Sequence, residues 1–243
     1  MGEDKLQSHG FAVLPFAVDA PTVAEMRDLV CANLGRMANT RPNPASRHIA
    51  GFHRLPVLEP LHSKLTENPA LNCALSEFYA NRDYVTIGLS DITVNRSQPW
   101  HTDLLRGAYA RYLTPEMCWG HGAVGCLKAL LYLQDGKSLR VIPGSHLQPV
   151  SLADDSGVVP TDPKEVTEVA VQVGDIVLMD IRLVHRGSTE AEMAQADLVD
   201  APKILLSTVF GEKDAPLTLA MEYGNAQRMR DWDAAHPAAN IVV

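Results

Sequence analysis

His101 and Asp103 stand two positions apart in Trp100-His101-Thr102-Asp103, and a second imidazole follows far downstream in Leu183-Val184-His185-Arg186-Gly187. On a strand, residues i and i+2 project from the same face. His101 and Asp103 can therefore grip one ion from a single strand end while Thr102 points away. Two imidazole nitrogens and one carboxylate oxygen make the facial triad of a non-haem Fe(II) centre, with the opposite coordination face left open for cofactor, substrate and oxygen. A bare His-x-Asp is common in soluble proteins, so the surrounding strings carry the weight. By residue type alone, His146 is a rival third ligand, and His121 and His53 are weaker ones.

Positioning such a trio takes strands. From Tyr84 onward short β segments are expected at Tyr84–Leu89, Ile92–Asn95, Gly125–Leu133, Leu139–Ile142, Val166–Val173, Ile176–Met179, Leu183–His185 and Ile204–Phe210. Pro-Gly and Gly-Asp turns interrupt them, which suits a sandwich or barrel, and no βαβ repetition is visible. Earlier, Gly10–Phe16 reads as a short strand. Asp19 caps a helix over about 21–38, in which Val23, Met26, Leu29, Val30 and Met37 recur at helical spacing. Asn39–Pro56, with Arg47, His48, His53 and Arg54, reads as a long polar loop. A second helix is expected over Pro69–Ala80 and a closing helix over Leu217–Trp232, followed by a terminal tail.

The chain has 243 residues, 46% of them hydrophobic and 21% charged, enough for one large core and tight for two domains. A net charge of −8 without a basic run argues against nucleic acid. No apolar stretch reaches bilayer length, the opening residues lack a secretion signal, and the four cysteines show no CxxC spacing. A cytoplasmic protein acting on a small molecule, away from membranes, is expected.

Four strings occur in a fixed order: Trp100-His101-Thr102-Asp103, Pro143-Gly144-Ser145-His146, Gly174-Asp175 leading a strand, and His185-Arg186-Gly187. With the opening Gly10–Pro15 they make the chain resemble the phytanoyl-CoA dioxygenase-like family of Fe(II)/2-oxoglutarate-dependent oxygenases over roughly residues 8–211. The resemblance implies a mainly β fold, a double-stranded β-helix (jelly roll, cupin-like) with flanking N-terminal helices. It also implies Fe(II), 2-oxoglutarate and O2 as cofactor and cosubstrates. The expected layout is one oxygenase domain over 1–243: helical support and lid to about 82, jelly-roll core over 83–211, C-terminal extension over 212–243. The ligand role falls to His101, Asp103 and His185, which leaves His146 a turn-stabilising hydrogen bond.

In that family an arginine on the strand after the distal histidine usually neutralises the far carboxylate of 2-oxoglutarate. The matching position here is Lys203, after an unusually long loop over Ser188–Ala201. Lysine neutralises as a point charge but orients less firmly than a guanidinium fork. Arg140 and then Lys128 are the alternatives, with Gln98, Ser145 and Ser207 as further contacts. Strand alternation puts Lys203, Leu205 and Ser207 on one face. The intact Asp103 disfavours halogenation, for which related enzymes carry a small residue there. Arg106, Tyr109, Arg111 and Trp119 follow the first ligands closely and are the substrate candidates. With the loop carrying Arg47 and Arg54 they suit a small polar or acidic metabolite, such as an amino acid derivative or a phosphorylated compound. The reading is hydroxylation, with 2-oxoglutarate converted to succinate and CO2. Desaturation, cyclisation or epimerisation can branch from the same chemistry. An iron-dependent cupin-like oxygenase or isomerase without 2-oxoglutarate, and a non-catalytic jelly-roll binding protein, are the alternatives.

Overall fold

The computed structural model describes residues 3–154, 165–194 and 201–237. The far end of the expected tail and part of the Ser188–Ala201 loop lie outside them. Two antiparallel sheets hold the centre. The larger is built from β1 (Phe11–Leu14), β2 (Arg47–Ala50), β3 (Tyr84–Thr86), β4 (Asp91–Val94), β5 (Leu127–Tyr132), β8 (Ile176–Asp180) and β10 (Ile204–Glu212). Its order is β1-β8-β5-β10-β4-β2, with β3 also on β10. The smaller has the order β7-β6-β9, from β6 (Gly136–Val141), β7 (Thr167–Val171) and β9 (His185–Arg186). Strands remote in sequence thus lie side by side, as a jelly roll requires.

Alternation divides the larger sheet cleanly. Leu127, Ala129 and Leu131 of β5, with Leu206 and Phe210 of β10, point into the main core. There they meet α2 (Ala20–Ala32), α3 (Glu59–Thr66) and α4 (Pro69–Phe78), through Val23, Met26, Leu61, Leu65 and Leu75. Each fully buried leucine there contributes roughly 1.5–3 kcal/mol. The intervening residues Lys128, Leu130, Tyr132, Leu205, Ser207 and Val209 face a cavity between the sheets. More residues lie in helices than in strands, yet the sheets carry the site. No helix among the described residues is long and apolar enough to cross a membrane.

Local chemistry explains the elements. Asp19 accepts the Thr22 N–H at 2.8 Å and starts α2, as expected; the helix ends at Ala32, followed by a 3-10 turn over Leu34–Arg36. Gly174 has φ +85, and a Cβ there would fall 2.1 Å from the Val18 carbonyl, so only glycine fits. Asp175 then accepts the N–H groups of Phe16 at 2.9 Å and Gln172 at 2.8 Å, tying the entry of β8 to the turn after β1. Sequence reading missed α1 (Glu3–His9) and α3. Asn39–Pro56 is not a continuous loop: Arg47–Ala50 form β2 against β4, and a 3-10 turn covers Phe52–Arg54. The strand expected at Leu183–His185 begins only at His185, because Leu183 belongs to a turn after β8. After the short α5 (Pro115–Trp119) and α6 (Glu190–Ala194), the closing helix, α7, runs over Pro216–Ala235.

Candidate active site

His101 and His185 face each other across an isolated antiparallel bridge. Each backbone N–H donates to the other's carbonyl at 2.9 Å, so they form one hydrogen-bonded pair, and the Asp103 N–H donates to Ile181 O at 2.8 Å. The main chain therefore delivers all three side chains to one spot. Their donor atoms lie within 4.8 Å of one another. His185 Nε2 is 3.5 Å from Asp103 Oδ2, and His101 Nε2 is 3.7 Å from Asp103 Oδ1.

Backbone carbonyls set both tautomers. His101 Nδ1 lies 2.7 Å from Pro99 O and His185 Nδ1 lies 2.9 Å from Leu183 O, so each Nδ1 carries the proton and each Nε2 presents its lone pair inward. Burial pushes His185 down to about 3, which keeps it neutral and able to ligate. Burial alone would raise Asp103, but the Lys128 ammonium, 2.8 Å from Oδ1, outweighs it and holds the carboxyl well below its ordinary range. Asp103 Oδ2 is buried with no hydrogen-bond partner. A buried anionic oxygen left bare beside the His185 lone pair is costly unless a cation completes it. The donor set fits a ferrous ion.

The cavity around this trio has a volume of about 330 Å³. Gln98 lines it; its carbonyl accepts from Arg96 Nη1 at 3.1 Å and its amide donates to His101 Nε2 at 2.9 Å, on the lone pair a metal would take. Lys203, Leu205 and Ser207 share the cavity face that alternation assigned them. The Lys203 ammonium makes no ion pair among the described residues, although its backbone N–H donates to Asn95 Oδ1 at 2.8 Å. Lys128 also lines the cavity, committed to Asp103.

Other expected site residues are placed elsewhere. Arg140 pairs with Glu168 at 2.6 Å on the far face of β6, because its neighbour Leu139 takes the cavity side. Ser145 Oγ accepts the Val184 N–H at 2.9 Å and so braces the approach to His185 from outside the cavity. After Leu105 the chain leaves the barrel in a 3-10 turn over Gly107–Tyr112 that packs on α7. Tyr109 there donates to Asp231, Arg111 lies 4.9 Å over the Tyr112 ring, and Arg106 is buried. Trp119 donates its indole N–H to His146 O at 3.1 Å. None of Arg106, Tyr109, Arg111 and Trp119 is among the described residues lining the cavity. Arg54 likewise pairs with Asp233 rather than reaching the mouth. His146 is buried, with Nε2 3.0 Å from Gln7 O, in a structural hydrogen bond. Sequence reading missed Asp91, Arg96, Met193 and Arg228, all of which line the cavity.

The family model described as phytanoyl-CoA dioxygenase matches residues 6–191. No curated protein matches the chain by sequence. Among solved structures the fold is similar to SnoN, a non-heme alpha ketoglutarate dependent epimerase from nogalamycin biosynthesis, with a TM-score of 0.60 and 19% identity over 86% of this chain and 79% of that one. EvdO2 from Micromonospora carbonacea var. aurantiaca gives 0.58 and 19%, over 86% and 88% of the two chains. HygX from Streptomyces hygroscopicus, solved with nickel and 2-oxoglutarate bound, gives 0.59 and 18%, over 88% of each. At these identities the likeness speaks for the fold.

Proposed function

The chain belongs to the phytanoyl-CoA dioxygenase family, and on that premise we propose that it is an Fe(II)/2-oxoglutarate-dependent oxygenase that hydroxylates a small polar or acidic metabolite. The observation that carries this reading is Asp103 Oδ2, buried and unpartnered 3.5 Å from His185 Nε2, in a trio whose ligand atoms lie within 4.8 Å of one another. His101, Asp103 and His185 hold the metal. When bound, the metal activates O2 so that 2-oxoglutarate yields succinate and CO2 and the substrate is oxidised.

The protein's own residues do the positioning. The carbonyls of Pro99 and Leu183 keep both imidazoles forward, and Lys128 holds Asp103 Oδ1 so that Oδ2 remains the ligand atom. Gln98, whose amide sits on His101 Nε2, would be free to donate to a bound carboxylate or ketone once a metal took that lone pair. Lys203 neutralises the distal carboxylate of 2-oxoglutarate, with Ser207 on the same face.

Anaerobic titration with Fe(II) and 2-oxoglutarate, followed by succinate assay in air, tests the reading. Lys203→Ala should weaken 2-oxoglutarate binding by more than about tenfold, the loss of one charge-assisted contact, and leave metal affinity unchanged. Turnover that needs no ketoacid would favour a cupin-like enzyme, and metal binding without any turnover a binding protein. Solved structures of similar fold are described as an epimerase and a carbocyclase, so product analysis must separate hydroxylation from epimerisation and ring closure.

A further inference from the structure

At one end of the cavity, α7 inserts a charged side chain into the wall. Arg228 Nη2 lies 2.8 Å from both carboxylate oxygens of Asp91, while its buried Nη1 has no hydrogen-bond partner. Arg96 shows the same imbalance. Its Nη1 donates to Gln98, and its buried Nε donates to nothing. Arg96 stands close enough to Asp91 and Arg228 for both charges to act on it. His48, 3.7 Å from Asp91, is uncharged at neutral pH because burial drives it to about 4.

Two guanidiniums thus face one carboxylate, and one positive charge is left without a counter-ion. Lys128 does not alter that balance, since Asp103 matches it. Arg41, also near Arg96, gives its guanidinium to the carbonyls of Ser97 and Thr40 and is not among the described residues lining the cavity. A buried donor left unsatisfied is destabilising, more so when charged. Two of them on one cavity wall describe a site that a ligand completes.

We infer that Arg96 and Arg228 anchor a carboxylate of the substrate at the α7 end of the cavity. The name substrate rests on the oxygenase reading; the anchor itself does not. A single uncompensated charge matches a monoanion better than a phosphate dianion, and a guanidinium fork suits the planar carboxylate. Arg228 lies on the C-terminal helix outside the family match at 6–191, whereas Arg96 lies within it. The anchor also takes over the role that Arg106 and Arg111 were expected to play.

The test uses protein loaded with redox-inert Zn(II) and saturating 2-oxoglutarate. Benzoate and benzamide, then phenylacetate and phenylacetamide, are titrated by ligand-observed NMR, with phenyl phosphate as the dianion. Each acid should bind at least about tenfold tighter than its amide, the size of one charge-assisted contact. Arg228→Gln and Arg96→Gln should each erase that preference while leaving amide and 2-oxoglutarate affinity unchanged. Arg96→Gln decides the matter if Arg228→Gln misfolds for want of a partner to Asp91. Equal binding of acid and amide, or binding of neither, overturns the inference. So does a loss of 2-oxoglutarate affinity in the variants, which would hand the arginines to the cosubstrate. Tighter binding of phenyl phosphate overturns the monoanion. If Zn(II) or 2-oxoglutarate fails to bind, the oxygenase reading falls, and acid against amide on the metal-free protein still decides the anchor.

Discussion

Asp103 and Asp91 are both carboxylates in the cavity wall, each held by a cation at 2.8 Å, yet they end in opposite electrostatic states. Lys128 touches only one oxygen of Asp103 and leaves the other bare beside the His185 lone pair. Arg228 reaches both oxygens of Asp91 and has a donor left over. One end of the cavity presents a bare carboxylate oxygen and the other bare guanidinium N–H groups. The difference follows from the partner chosen: an ammonium is a point charge, and a guanidinium spans a carboxylate and still has N–H groups facing away. A cavity so divided orients a ligand before any shape complementarity is considered.

The largest effect should come from attacking the His101, Asp103 and His185 trio directly. His185→Ala or Asp103→Ala should lower Fe(II) affinity by more than about 100-fold, beyond the usual loss for an outer-sphere residue, and abolish succinate formation. Calorimetric metal titration checks it, and retained affinity would remove these residues from the ligand set. Lys128→Met sharpens the comparison. It strands the buried Asp103 charge and should destabilise the metal-free protein by roughly 3 kcal/mol. Zn(II) should restore most of that loss, because the ion supplies the missing positive charge. A deficit that persists with metal bound would mean Lys128 matters for packing instead.

An effect confined to acid pH concerns His48 at the other end. Its folded value is about 4 against an ordinary 6.5. Between those values the unfolded chain binds the proton that the folded chain refuses, so stability falls as pH drops from 6.5 toward 4 and is unaffected above 6.5. The full penalty is on the order of 3 kcal/mol. Urea unfolding at neutral pH and near pH 4 should show a smaller drop for His48→Gln than for the parent. His62, lowered to about 4, and His185, to about 3, leave the variant some slope of its own. An identical drop in both proteins would mean that His48 is protonated in the fold.

The triad end was legible in part. His101 and Asp103 converge although only an isolated bridge at His101 stands where a strand was expected. The alternation of Lys203, Leu205 and Ser207 is a strand property. The Gly174-Asp175 turn was legible for the same local reason. The anion end was not. Asp91 and Arg228 meet from β4 and α7, and no short string joins them. One signal existed: Leu217, Met221 and Gly224 form the buried stripe of α7, and Arg228 continues it one turn on. Arg106, Tyr109 and Arg111 misled because nearness in sequence to Asp103 says nothing of where the chain turns out of the barrel. Lys128 ranked below Arg140 for lack of a register, and Arg140 sits on the outward phase of β6.

The reciprocal main-chain bond between His101 and His185 makes the spacing of the two rings a property of the sheet rather than of two mobile arms. Main-chain hydrogen bonding would hold the two imidazoles near one another with or without an ion between them, so the pair needs little rearrangement to accept one.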